Sequence, residues 1–165
     1  MTRDRACARI PVARVVVLAA LCMGTTCTSR LPPGETRNRG PEAIRKALRC
    51  DSKTLPFFVV DRNTVTPRVV SGGDELRHIV IYSMCPSPTG EVYTGRLVRR
   101  IKLDEVTILD DVTEPFELKP GRWIQTALIR VPPDAPAGKY RFVTLIEVGT
   151  LRFDGEQRFE IRGKR

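Results

Sequence analysis

His78 is the only histidine in the sequence, and the one side chain whose ordinary pKa suits proton transfer near neutrality. It lies in Leu76–Met84 (LRHIVIYSM), where alternation groups it with Leu76, Val80 and Tyr82. A lone histidine on such an apolar face is expected to be a satisfied core or rim residue rather than a base. A serine nucleophile would need His78 beside it together with an orienting acid. Ser71 and Ser83 lie nearby in sequence, and their spacing singles neither out. The chain contains no G-x-S-x-G elbow, H-E-x-x-H helix or phosphate-binding loop. The acid pairs Asp104-Glu105 and Asp110-Asp111 fall where strands are expected to turn, so they read as solvated carboxylates. Asp110 and Asp111 lack the loop of alternating oxygen ligands that a calcium site requires. No catalytic residue and no cofactor is expected, and the protein reads as non-enzymatic.

The five cysteines divide by position. Cys7 and Cys22 lie in the basic, apolar N-terminal stretch and Cys27 just after it. That leaves Cys50 and Cys85, an even pair in the folding part of the chain, expected to form one disulfide in an oxidising compartment. The alternative is two unpaired buried thiols. No Cys-x-x-Cys or Cys/His spacing is present, so no metal site is expected.

A third chemical feature is cationic. The alternating run Glu91–Leu103 sets Arg96, Arg100 and Lys102 on one face, with Arg99 opposite. Such a row could hold an anionic polymer or lipid headgroup, or it could protect an edge strand from aggregation. The strand has no interleaved aromatic residues, so nucleic-acid binding is not expected. The formal net charge is +9. Arg3, Arg5, Arg9 and Arg14 against Asp4 give the leader +3. Arg30, Arg37, Arg39, Arg45, Lys46 and Arg49 against Glu35 and Glu42 give the next segment +4, which leaves +2 from Asp51 onward.

The N-terminus explains the first of these concentrations. A basic leader, the apolar run Val15–Met23 (VVVLAALCM) and the small polar residues Gly24–Ser29 have the form of a secretory signal. The apolar run is well short of the roughly 20 residues a helix needs to span a bilayer. Cys27, placed directly after it, resembles the acylated cysteine of bacterial lipoprotein signals, over about the first 30 residues. That family carries Leu three residues before the cysteine and a small residue just before it, where this chain has Gly24 and Thr26. The resemblance implies lipidation at Cys27 and a membrane-anchored protein of the cell envelope. The competing reading is ordinary cleavage after Cys22 or Thr26, giving a soluble periplasmic or secreted protein.

Residues 1–26 are accordingly read as a signal peptide and 27–40 as a flexible basic linker rich in Pro, Gly and Arg. Residues 41–50 follow as a short helix, with Pro41 at its first turn and Ile44, Ala47 and Leu48 on one face. From 51 to 165 the pattern is β. Strands are expected at Leu55–Val60, Val65–Val70, Leu76–Met84, Glu91–Leu103, Val106–Leu109, Pro115–Leu118, Arg122–Val131, Tyr140–Val148, Leu151–Phe153 and Arg158–Arg162. Asp154-Gly155 reads as a hairpin turn. Short strands separated by regular turns argue an all-β sandwich. The Pro-rich corner running into Gly138-Lys139-Tyr140-Arg141-Phe142 resembles the start of the penultimate strand of bacterial immunoglobulin-like domains, over about Val65 to Arg162. That resemblance implies an immunoglobulin-like β-sandwich of about seven to nine antiparallel strands, without the intersheet cysteine pair of antibody domains. Trp123, Tyr140, Phe142 and Phe159 are expected in its core. The functional expectation is an exported envelope protein whose sandwich binds or braces a protein partner. The alternative is a module for an anionic polymer or headgroup, built on Arg96, Arg100 and Lys102.

Overall fold

The computed structural model describes residues 34–163. Cys27 and the expected signal peptide lie outside the described residues. In chain order the elements are β1 (Gly34–Arg39), α1 (Pro41–Leu48), β2 (Phe58–Thr66), β3 (Val69–Ser71), β4 (Glu75–Met84), β5 (Tyr93–Leu103), β6 (Val106–Leu118), β7 (Gly121–Arg130), β8 (Gly138–Val148) and β9 (Leu151–Arg162). They form an all-β sandwich. A four-stranded sheet of order β1-β7-β4-β2 faces a five-stranded sheet of order β3-β9-β8-β5-β6. All pairings are antiparallel except β3 with β9, which run parallel, so the expectation of a purely antiparallel fold needs that correction. No helix among the described residues is long and apolar enough to cross a membrane.

Strand alternation builds the core. On β4 the even residues Leu76, His78, Val80, Tyr82 and Met84 all point inward and are buried. On β8 the inward set is Tyr140, Phe142, Thr144, Ile146 and Val148. The apolar residues of these rows gather into two clusters. One holds Leu76, Ile101, Tyr140, Phe142 and Phe159. The other holds Val80, Tyr82, Leu97, Phe116 and Ile146. The level between them is polar, because His78, Arg99 and Thr144 occupy the intervening inward positions of β4, β5 and β8.

Several details depart from the pattern reading: the expected strand Val65–Val70 is broken after Thr66, and Val106–Leu109 and Pro115–Leu118 belong to one continuous β6. Residues 34–39, expected to be part of the linker, form β1, an edge strand hydrogen-bonded to β7 with Gly34 opposite Thr126. Helix α1 ends at Leu48 and is followed by a 3-10 turn at Cys50–Ser52, because Arg49 takes the left-handed conformation that closes it. Asp154-Gly155 is not a turn. β9 runs straight through it, and the β8–β9 hairpin turns instead at Gly149-Thr150, where Gly149 has φ +58. Trp123 is only partly buried, its indole N–H donating to the Pro120 carbonyl at 3.1 Å, whereas Tyr140, Phe142 and Phe159 lie in the core as expected.

The expected covalent link is present. Cys50 and Cys85 form a disulfide with Cα atoms 5.7 Å apart, tying the segment after α1 to the end of β4. The corner tyrosine holds its own loop, since the Tyr140 hydroxyl donates to the Pro136 carbonyl at 2.7 Å.

Candidate functional site

The polar level inside the sandwich is one connected network. Arg99 Nε donates to His78 Nδ1 at 3.1 Å, so the imidazole accepts there and carries its proton on Nε2. Nε2 lies 2.8 Å from Asn63 Oδ1 and 3.0 Å from Thr144 Oγ1, and the threonine hydroxyl donates to Asn63 Oδ1 at 3.2 Å. On the other side, Arg99 Nη1 donates to Asp111 Oδ2 at 2.8 Å and to Thr113 Oγ1 at 2.9 Å. The network therefore crosses between the sheets from β2 to β6.

Its electrostatics follow from burial. His78 is wholly buried, and desolvation together with the Arg99 charge lowers its pKa from 6.5 to about 3. It is neutral throughout the ordinary pH range. Burial also lowers the Arg99 pKa, while the Asp111 hydrogen bond opposes that shift. A guanidinium nevertheless stays charged in proteins, so this is a fixed cation inside the fold.

Asn63 enters this level through a glycine. A Cβ on residue 155 would stand 2.6 Å from Asn63 Nδ2 and 2.6 Å from the Phe153 ring. Gly155 is thus required by a neighbour across the sandwich and not by a turn. Asn63 Nδ2 itself is buried with no partner. Exchanging the amide's nitrogen and oxygen would set two donors face to face at His78 Nε2, so the tautomer fixed by Arg99 also fixes the amide.

His78 is hydrogen-bonded to neither of the nearby serines among the described residues. Both nitrogens of His78 are engaged, and Ser83 lies on the opposite face of β4, donating to Asp61 at 2.7 Å. The backbone N–H of Ser71 is held by Asp74. Asp110 and Asp111, expected in a turn, lie mid-strand on β6 and point to opposite faces, one to Arg100 and the other to Arg99. Among the described residues no group of three His, Cys, Asp or Glu side chains could hold a metal ion.

The expected cation row is present but neutralised. Arg96 pairs with Glu147 at 2.5 Å, Arg100 with Asp110 at 2.6 Å and Lys102 with Glu105 at 3.3 Å. Glu105 also meets Arg141, and its hydrogen bonds to Lys102 and Arg141 lower its pKa. Across the outer face of the five-stranded sheet, β5 cations sit opposite carboxylates of β6 and β8.

One concave feature of the fold lies beyond the start of β1 among the described residues. β1 begins opposite Thr126, so the β7 edge from Ala127 to Arg130 has no strand partner on that side among the described residues. Across the gap runs β6, the edge of the other sheet. A cleft of about 540 Å³ opens between them. Its floor includes Arg99, whose side chain is 6% exposed and whose Nη2 has no partner among the described residues. Asp111, Lys119 and Gln125 flank it. At one end Glu35 takes hydrogen bonds from Lys119 and Gln125 and weakly from the Tyr82 hydroxyl. The Glu35 contacts raise the Lys119 pKa. Alternation placed Arg99 opposite the cation row. That it meets His78 and opens on a cleft depended on the intersheet register, for which the sequence carries no signal.

No family profile matches the sequence, and no curated protein does. Among solved structures, the sporulation control protein Spo0M of Bacillus subtilis is similar with a TM-score of 0.47 and 18% identity, over 63% of this chain and 49% of that one. The alkylpurine DNA glycosylase AlkC of Pseudomonas fluorescens gives a TM-score of 0.44 and 16% identity, over 74% and 35% of the two chains. The β-glucosidase EmGH1 of Erythrobacter marinus gives 0.42 and 12%, over 65% and 16%. This chain thus spans about half or less of each of these proteins.

Proposed function

We propose that the protein is a non-enzymatic, exported module of the cell envelope that receives an extended segment of a partner protein in the β6–β7 cleft. The observation that carries the reading is the pairing of an open strand edge with a buried, incompletely hydrogen-bonded guanidinium. The edge at Ala127–Arg130, without a strand partner on that side among the described residues, offers main-chain donors and acceptors to an added strand. Arg99 Nη2 offers two N–H donors, which suit a main-chain carbonyl or a carboxylate of that strand. The engagement of His78 on both nitrogens supports binding over hydrolysis, and the Cys50–Cys85 disulfide supports an oxidising destination. Anchoring through acyl chains on Cys27 completes the proposal. The alternative of an anion site on Arg96, Arg100 and Lys102 is disfavoured, because each of those cations already has a carboxylate.

The test places a photo-cross-linking residue at Leu128, on the cleft wall, or at Val92, which is comparably exposed and does not line the cleft. The full chain is expressed with its leader and irradiated in intact envelopes. A discrete adduct at 128, mapping to one peptide of one protein and absent at 92, is expected. Equal or diffuse labelling at both positions rules out the cleft. The mature protein from the membrane fraction should begin at Cys27 and carry acyl chains, and a retained Met1 would remove the export arm.

A further inference from the structure

Six cations without an ion pair among the described residues are gathered in one stretch, whereas Arg62, Arg68, Arg130 and Lys139, also without one, are spread over separate parts of the chain. Arg39, Arg45, Lys46 and Arg49 make no ion pair among the described residues. Arg37 and Lys53 meet only aromatic rings, Trp123 at 6.0 Å and Phe57 at 5.2 Å. Of the three acids in this stretch, Glu35 is held by Lys119, while Glu42 and Asp51 form no ion pair among the described residues. Six cations thus stand against two unengaged carboxylates. Elsewhere, on β5, β8 and β9, cations and carboxylates alternate in pairs.

Three of the six are grouped by α1. Arg45 and Arg49 are four residues apart and Lys46 and Arg49 three, which sets them on neighbouring positions of one side of α1 and its closing turn. The opposite side buries Ile44 at 2% exposure. The helix cannot drift from the sheet. The disulfide holds its C-terminal side, and at its N-terminal side the backbone lies so near β7 that a Cβ on Gly121 would stand 2.7 Å from the Arg39 carbonyl. Gly121, with φ +109, permits that approach.

We infer that the α1–β1 platform, formed by Arg37, Arg39, Arg45, Lys46, Arg49 and Lys53, is a docking surface for an anionic lipid bilayer. Unpaired cations held out from a rigid body gain from a negatively charged surface, by roughly 1 kcal/mol each when close to it. Pairs such as Arg100–Asp110 gain nothing comparable. Cys27 precedes β1 by seven residues, so the platform occupies the part of the fold nearest in sequence to the proposed anchor. A cationic patch is the second signal that turns marginal acyl attachment into stable residence. The inference stands apart from the cleft reading, since the platform can hold a membrane whether or not the cleft holds a peptide.

The experiment uses the full chain with Cys27→Ser, so that no acyl chain contributes. Sedimentation with phosphatidylcholine vesicles measures retention through the apolar leader. Vesicles with 30 mol% phosphatidylglycerol, about one lipid in three, measure the added electrostatic part. The platform variant is R39Q/R45Q/K46Q/R49Q/K53Q, and the comparison variant is R96Q/R100Q/K102Q. The expected result is a partition coefficient at least about tenfold higher on anionic vesicles. The leader's Arg3, Arg5, Arg9 and Arg14 add to that increment in every variant, so the platform variant loses most of it, the comparison variant keeps it, and about 0.5 M salt removes it. Circular dichroism confirms that both variants fold, and single substitutions R45Q and R49Q serve if the quintuple variant does not. An increment in the platform variant as large as in the comparison variant overturns the inference. So does its loss in the comparison variant, or a preference for duplex DNA over anionic vesicles at equal salt.

Discussion

His78 shows how one residue's surroundings decide its chemistry. Isolated in sequence, it is the natural candidate for a base. In the fold it is the neutral centre of a hydrogen-bonded level, with Arg99 fixing its tautomer and Asn63 and Thr144 receiving the other nitrogen. The consequence is a pH dependence. Its folded pKa of about 3 lies below the unfolded value of 6.5, so the unfolded chain takes up the proton first as pH falls. This contribution to stability is complete above about pH 6.5 and is lost progressively between there and about 3. From pH 6.5 to 5, before most carboxylates titrate, the loss should be about 2 kcal/mol. Urea unfolding at pH 7 and pH 5 measures it. In His78→Gln the overall stability is lower, and this increment between the two pH values should be absent.

At the scale of elements, the pattern of alternation was legible and the reason for individual residues was not. The even residues of β4 announced their strand, and its interior lies where alternation put it. β1 was missed because GETRNR has no apolar face of its own. An edge strand exposed along most of its length is held by its ladder to β7, which leaves no hydrophobic period to read. Gly155 was misread because the sequence of a hairpin turn and that of a glycine making room for Asn63 are the same two letters. Gly95, on β5, is a stronger case of the same kind. A Cβ there would lie 2.0 Å from the Glu147 carbonyl oxygen and 2.7 Å from Val148 Cα, both backbone atoms that cannot swing aside. Gly95→Ala should cost about 3 kcal/mol or more by separating β5 from β8. Gly40→Ala, with nothing within 4 Å of its Cβ, should cost less than about 1 kcal/mol. Thermal melts of the two variants make the comparison.

The whole molecule combines a divided core with a covalent staple. Two apolar clusters share a polar level, and burying that level gains less than hydrocarbon of equal area would. The Cys50–Cys85 link closes a 35-residue separation, and in the chain-entropy model that contributes about 3–4 kcal/mol by restricting the unfolded chain. Cys50→Ser/Cys85→Ser should therefore lower the unfolding free energy by about that amount. The wild-type protein in a strong reductant should approach the same value once its thiols are free. Pairing these two cysteines was readable by elimination from the sequence. The cleft was not, because it depends on how the β6 and β7 edges face one another across the sandwich, and the intersheet register decides that.

The six residues of β1 have a consequence for distance. They were counted as leash and turn out to belong to the body, so six residues, Thr28–Pro33, lie between Cys27 and the first described strand residue. Seven peptide steps reach at most about 25 Å when drawn straight. With Cys27 acylated as proposed, that bound would confine the sandwich to a thin layer at the membrane. Its local concentration there would be in the millimolar range, so a weak grip on a neighbour would suffice, and a neighbour beyond reach would never be met.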